Sequence, residues 1–324
     1  MTYARRETFL PFSRPMVGQE EIDELIDSIH SGWITTGPKS ARFEQELADY
    51  NGIPHVMVMN SATTAQEFTL QLLDLQPGDE VITTGLTWVS TLSTIVLRGG
   101  VPVLVDIDPK TMNLDPERLE AAITPRTKGI IPVHLTGLPC DLEPIWQLAA
   151  KHGLWVVEDA AQAMGAHYKG RKIGADPRSV FTVYSFHPNK NLTTGEGGGL
   201  AFHDERFLPR VQRLRFHGIE RDAWKRASKE GSVHIDVLEP ARKANFMDLQ
   251  AALGLHQLKK LDGFNARRGE LFRRYLELMR DMDEVILPWE GDVDFGHCFH
   301  LFVLRIRPEK AGMDRDTFVT RLKD

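Results

Sequence analysis

The chain has 324 residues, 42% of them hydrophobic and 26% charged, with a formal net charge of −6. That composition belongs to a folded, soluble protein with room for one large domain and a smaller one, and it argues against dominant disorder and non-specific nucleic-acid binding. Cys140 and Cys298 lie far apart without metal-ligand spacing, no apolar run approaches a membrane span, and the N-terminus lacks a signal peptide's apolar core, so a reduced cytoplasmic protein without a metal is expected.

Residues 18–31 carry Ile22, Leu25, Ile26 and Ile29 on one stripe with Gly32 as a stop, which predicts a helix. The loop SGWITTGP reads by composition as a connector to a second helix over residues 40–50. Residues 56–59 then read as a buried strand and 64–73 as a helix, with Asn60, Ser61, Ala62 and Thr63 forming a small polar turn between them. Free N–H groups and hydroxyls at a helix start suit an anion, and ordinary capping by Ser61 or Thr63 explains the same residues. A strand over 80–84 leads to Trp88, a residue type more often found in a core than beside a ligand. Its place just beyond a strand end, where α/β folds hold ligands, favours the second reading.

Helices and strands now alternate: helix 89–97, strand 101–106, helix 116–122, strand 129–134, helix 142–151 and strand 154–157. The alternation predicts a mostly parallel sheet covered on both faces. The last strand runs into Glu158 and Asp159, a pair that by itself reads as solvated or capping.

Val180, Phe181, Val183, Tyr184 and Phe186 make a further buried strand, followed by Lys190 and a Gly-Glu-Gly-Gly-Gly tract. Burial at a strand end lowers a lysine's pKa and makes its amine a usable nucleophile, while dense glycines let backbone approach a ligand closely. Downstream, a helix is expected over 205–216, an exposed charged loop over 220–239, and a long helical stretch over 247–282 weakened at Gly254 and Asp262-Gly263. A strand over 300–306 and a helix from 314 complete the chain. This divides it into a large domain, 1–246, and a bridging helix with a small domain, 247–324.

The segment Ser185, Phe186, His187, Lys190, Asn191, Thr193, Gly195, Glu196, Gly197 and Gly198 strongly resembles the lysine motif of the DegT/DnrJ/EryC1/StrS sugar aminotransferases. The resemblance implies an α/β fold like that of aspartate aminotransferase (PLP fold type I): a large domain with a mostly parallel central sheet, plus a smaller α+β C-terminal domain. Relatives run a few dozen residues further, so the small domain is expected to be incomplete at residue 324. The implied cofactor is pyridoxal 5′-phosphate, anchored by Lys190, which also moves protons. Asp159, in the family's E-D-A-A-Q/H motif, would face the pyridine nitrogen, with Trp88 stacked on the ring and Gln162 beside it. Ala62, Thr63 and Ser185 would hold the phosphate, with Ala62 standing where the family usually has glycine. The family builds its active site across a homodimer, so Lys243 and Asn245 are implied phosphate contacts of the partner, although the usual Gly-Tyr-Asn-Tyr-Arg run here reads Ala241-Arg242-Lys243-Ala244-Asn245.

Trp33, Thr35, Thr36 and His187 are implied near the substrate. That substrate would be a nucleotide-linked 4-keto sugar, with glutamate as amino donor. FLPFSRP, SGWITTGPK, TWVSTL and IIPVH are most similar to members that aminate a UDP-4-keto-pentose for lipid A modification. Amination of another nucleotide-linked keto-deoxysugar, for O-antigen or antibiotic pathways, is the alternative, as is a non-catalytic sugar-nucleotide-binding or regulatory relative. A dehydratase of this fold would carry histidine in place of Lys190. A nicotinamide-dependent oxidoreductase needs a glycine fingerprint where this chain has Asn-Ser-Ala-Thr-Thr.

Overall fold

The computed structural model describes residues 8–219 and 236–323. Helix α1 (Gln19–Ser31) ends at Gly32 in the left-handed conformation, and helix α2 (Pro38–Asn51) starts with a proline in its first turn. The carboxylate of buried Asp248 accepts from the N–H groups of Gly37, Lys39 and Ser40 at 2.8–3.0 Å, satisfying donors that α2 itself leaves unpaired. The loop before α2 is therefore tied to a residue more than 200 positions away in sequence.

A seven-stranded sheet follows, built from β1 (His55–Met59), β2 (Glu80–Thr84), β3 (Val101–Val105), β4 (Thr127–Ile130), β5 (Trp155–Asp159), β8 (Phe181–Ser185) and β9 (Gly198–Phe202). Its order is β1-β9-β8-β5-β4-β2-β3, and only β9 runs against the others. Alternate residues of β1, β2, β5, β8 and β9 enter two separate cores, as a two-sided pleat requires. Met57, Val157 and Val183 join Phe68, Ile95 and Leu214 from helices α3 (Ala62–Leu72), α4 (Val89–Leu97) and α6 (Leu208–Arg215). Val58, Val156 and Tyr184 join Phe43, Ile145 and Leu255 from α2, α5 (Leu142–His152) and α7 (Asp248–Met279). This is the mixed α/β fold with a mostly parallel central sheet that the alternating pattern predicts.

Several expected elements take another form. Residues 116–122 make two short 3₁₀ turns, Pro116–Arg118 and Glu120–Ala122. Leu119 is the only buried residue between 116 and 122, too little to anchor a full helix. The expected strand over 129–134 stops at Ile130, before Pro132, and resumes only as a single bridge from Val133 to Asp159. The helix over 205–216 is a 3₁₀ turn, Glu205–Phe207, followed by α6.

The strand β9 went unpredicted because its glycines mask its strand character, and so did the hairpin β6 (His167–Tyr168) and β7 (Arg171–Lys172). Helix α7 is continuous for 32 residues, uninterrupted at the expected glycines. At Gly254 the missing side chain lets the Phe43 ring approach to where a Cβ would stand 2.5 Å away, so this glycine serves packing rather than interruption.

In the C-terminal part, β10 (Val285–Ile286) pairs with β12 (Arg305–Ile306), so only the last two residues of the expected 300–306 strand are strand. The strand β11 (Phe295–Gly296) pairs with β6. Residues 298–301 instead run alongside the loop after β4, with Cys298 N–H donating to Gly137 O (3.0 Å) and Leu301 N–H to Thr136 O (3.1 Å). Helices α8 (Pro308–Ala311) and α9 (Arg315–Lys323) follow. Most of the expected charged loop, 220–235, lies outside the described residues. Among the described residues no helix is long and apolar enough to cross a membrane.

Candidate active site

In a parallel sheet every strand delivers its C-terminal end to one edge, and ligands gather there. Here that edge encloses a cavity of about 440 Å³. Its lining includes Ser61, Ala62 and Thr63 after β1, Trp88 after β2, Asp159 and Gln162 at the end of β5, and Ser185, His187 and Lys190 at the end of β8. Antiparallel β9 begins at the same edge and adds Gly197. Nine residues singled out from sequence thus meet in one place, gathered from four strand ends.

Lys190 is half-buried, in a turn closed by its own N–H donating to His187 O at 2.9 Å. Burial pulls its pKa below the usual lysine value, with the charge of Asp159 opposing. The amine is therefore closer to its neutral, nucleophilic form than a solvated lysine. Asp159 is 6% exposed. Its Oδ2 accepts from Thr91 Oγ1 at 2.9 Å and its Oδ1 from Ala161 N–H at 3.2 Å. Since Thr91 spends its proton on Asp159, the 2.8 Å contact between the Thr87 and Thr91 hydroxyls has Thr87 as donor. Both carboxylate oxygens of Asp159 thus accept hydrogen bonds, which fixes the orientation of the group.

At the start of α3, Ser61 Oγ accepts from Thr64 N–H at 3.1 Å, and the first helical bond runs from Ala65 N–H to Ser61 O. The N–H groups of Ala62 and Thr63 have no acceptor among the described residues and border the cavity. Behind them, Gly198 allows β9 to pass so closely that a Cβ would lie 2.3 Å from Ala62 N. Trp88 is the N-cap residue of α4, and its side chain is 71% exposed beside the cavity. Two free amides, a hydroxyl from Ser185, a buried carboxylate and a desolvated lysine suit a phosphorylated pyridine aldehyde: anion, ring nitrogen and carbonyl each meet the group they require.

Gln162 has a second task, and the remaining sequence-predicted residues lie elsewhere. Gln162 borders the cavity, but its Oε1 accepts from Thr136 N–H at 2.8 Å, supporting a loop in which Thr136 holds a φ of 61°. That conformation is strained for a β-branched residue and clusters with function. Trp33, Thr35, Thr36, Lys243 and Asn245 do not border this cavity within one chain. Thr36 and Asn245 meet each other instead, with Asn245 Nδ2 donating to Thr36 Oγ1 at 3.0 Å, while Lys243 is exposed.

Three cavity-side residues escaped the sequence reading. Thr91 lies one helical turn past Thr87 and showed no signal of its own. Gln66 lies in an amphipathic helix where a polar residue reads as surface, yet it is 2% exposed. His300 begins an apolar run that reads as strand. Asn191 Nδ2 donates to Asn265 Oδ1 and Cys298 O, both at 2.7 Å, so the Asn191 Oδ1 end is an acceptor and His300 Nδ1 carries the proton across their 3.1 Å contact. Burial lowers the His300 pKa to about 3, with Lys190 and Arg268 adding to the effect, so its ring stays neutral beside the cavity.

The profile of the DegT/DnrJ/EryC1/StrS aminotransferase family matches residues 15–324. The spore coat polysaccharide biosynthesis protein SpsC of Bacillus subtilis (strain 168) is 45% identical over 320 residues, covering 99% of this chain and 82% of SpsC. Among solved structures, Spr1654 from Streptococcus pneumoniae in its PMP form superposes with a TM-score of 0.86 at 35% identity, over 92% of this chain and 79% of that one. Spr1654 is also solved in a PLP form. Helicobacter pylori PseC, an aminotransferase involved in pseudoaminic acid biosynthesis, gives a TM-score of 0.86 at 26% identity, over 96% and 82% of the two chains.

Proposed function

The chain belongs to the DegT/DnrJ/EryC1/StrS aminotransferase family and is a pyridoxal phosphate-dependent sugar aminotransferase, and from this we infer that it moves an amino group from glutamate to the 4-keto carbon of a nucleotide-linked sugar. Bound in the cavity, pyridoxal phosphate supplies an aldehyde for amines and a ring that accepts electrons. Lys190 would anchor it and, once freed, its Nζ would take the α-proton of the amino donor and later give a proton to the sugar carbon that receives nitrogen. Asp159 keeps a proton on the ring nitrogen, and Thr91 keeps Asp159 aimed. The free amides of Ala62 and Thr63, with Ser185, take the phosphate. Trp88 covers the ring, a use that accounts for so large an apolar side chain standing 71% exposed. The observation that carries this reading is the meeting of desolvated Lys190 and buried Asp159 in one cavity with unpaired helix-start amides.

We further propose a homodimer. The edge formed by α4 and β3 exposes Val89, Val96, Leu97, Val101 and Leu104, an apolar strip that a second copy would cover. Asn245, Lys243 and the Trp33–Thr36 loop, which lie off the cavity of their own chain, are assigned to the neighbouring copy's site. His187, on the cavity rim, is assigned to the sugar. A UDP-4-keto-pentose is the first sugar to test. The likeness to SpsC favours a surface-polysaccharide sugar over a lipid A precursor, and another nucleotide-linked keto-deoxysugar is the second candidate.

The test is an absorption spectrum of the protein with pyridoxal phosphate before and after glutamate. The yellow band of lysine-bound cofactor is expected to form, to bleach with glutamate, and to return with the right keto sugar. Lys190→Ala should abolish both the band and turnover. A Lys190→Ala protein that still turns over would remove the central assignment.

A further inference from the structure

We propose that Gln66 is an additional cofactor-positioning residue, whose side-chain amide donates to the phosphate of bound pyridoxal phosphate. The inference rests on the placement of that phosphate at the start of α3. Gln66 is 2% exposed and lines the cavity, and its Nε2 is buried without a hydrogen-bond partner. Its Oε1 also makes no hydrogen bond among the described residues, and the amide nitrogen is the atom that is both buried and unpaired. A buried amide in this condition is destabilising, and folded proteins hold few of them.

Helical geometry says where the amide points. Gln66 is four residues after Ala62, so both side chains lie on one face of α3, one turn apart. Side chains on a helix lean toward its N-terminus, which carries the Gln66 amide toward the free N–H groups of Ala62 and Thr63. A half-turn about its last side-chain bond exchanges nitrogen and oxygen, so the amide can present N–H to whatever acceptor arrives. The cofactor's phosphate is rich in acceptors. The ring nitrogen, by contrast, carries a hydrogen and is matched to Asp159, so it has no use for another donor. The ring's 3-oxygen is a second acceptor, but the phosphate is the one placed at the end of the helix toward which the amide leans, and it is the acceptor assigned to Gln66.

This assignment predicts effects of opposite sign on the apoprotein and the complex. Gln66→Leu removes the unsatisfied amide while keeping the volume, so the apoprotein should melt at the same temperature or higher. Its affinity for pyridoxal phosphate, measured by titrating the bound-cofactor absorbance, should fall about ten- to a hundredfold. Gln66→Glu, which sets a carboxylate against the phosphate, should bind more weakly still. Pyridoxal, which lacks the phosphate, should bind Gln66→Leu and wild type alike.

Unchanged pyridoxal phosphate affinity in Gln66→Leu overturns the proposal. So does a parallel loss of apoprotein stability, which would mark Gln66 as structural, or an equal loss for pyridoxal, which would put its contact on the ring. The underlying phosphate placement is tested separately with Ala62→Pro, since proline is accepted at a helix's first position but removes one amide donor. If Ala62→Pro keeps full affinity, the phosphate lies elsewhere. If Ala62→Pro weakens binding and Gln66→Leu does not, only the role of Gln66 is refuted.

Discussion

Thr87, Thr91 and Asp159 form a chain of hydroxyl donors ending on a carboxylate, and the chain fixes a group whose work depends on orientation. A hydrogen bond to a charged acceptor contributes about 1.5–3 kcal/mol, so Thr91→Val, which keeps the shape and removes the donor, should slow the glutamate half-reaction about ten- to a hundredfold with the cofactor still bound. Stopped-flow bleaching of the cofactor band measures it, and a rate within about twofold of wild type would separate Thr91 from the task of Asp159. At this scale the sequence was informative where chemistry and local motif coincide. Lys190, Asp159 and Ser61 stand at strand ends that their own neighbours define. Thr91, Gln66 and His300 were not legible, because what each touches depends on how a helix or a distant loop packs against another strand.

Among the elements, β9 and α3 set the tightest constraint on the site. Gly198 opens β9 where the backbone of Ser61 and Ala62 leaves no room for a side chain, with the nearest atom 2.3 Å from an added Cβ. Because that neighbour is backbone, Gly198→Ala must displace the start of α3. It should cost about 1–3 kcal/mol of stability, as overpacking does, and weaken pyridoxal phosphate binding together with it. Thermal melting and a cofactor titration test this, and unchanged affinity would dissociate the helix start from the cofactor. The strands and helices around the site were mostly visible in the sequence because periodicity reports burial on each face. The exception was β9, whose glycines gave no strand signal. Its partners on both sides supplied the pairing that its composition did not.

For the molecule as a whole, pH and assembly give the clearest tests. Burial lowers His297 to about 4 and His300 to about 3, from an ordinary 6.5. Between pH 6.5 and about 4 the unfolded chain therefore takes up two protons that the native chain refuses, and stability falls with acidification. The slope within that window approaches about 2.7 kcal/mol per pH unit, 1.36 for each histidine. Glu21 acts at lower pH. Burial would raise its pKa, but hydrogen bonds from Lys260, Gln257 and the Gly18 N–H bring it to about 2, so its contribution is present above 4.5 and is lost only as pH falls toward 2. Urea unfolding of the apoprotein from pH 7 to 4.5 should show the histidine slope, and His300→Asn should roughly halve it; a flat profile would contradict the burial of both rings.

Sedimentation of the intact protein should give a dimer, and a monomer alone would withdraw the cross-subunit roles of Asn245 and Lys243. The sequence by itself determined the parallel strands of the sheet, the lysine motif and the chemistry, because local pattern encodes both burial and the identity of reactive groups. Only the tertiary structure decided which residues serve those groups. The path of residues 298–301 beside the lysine loop, the burial of Gln66 and the hold of Thr91 on Asp159 are contacts between segments far apart in sequence, and a one-dimensional pattern carries no distance between them.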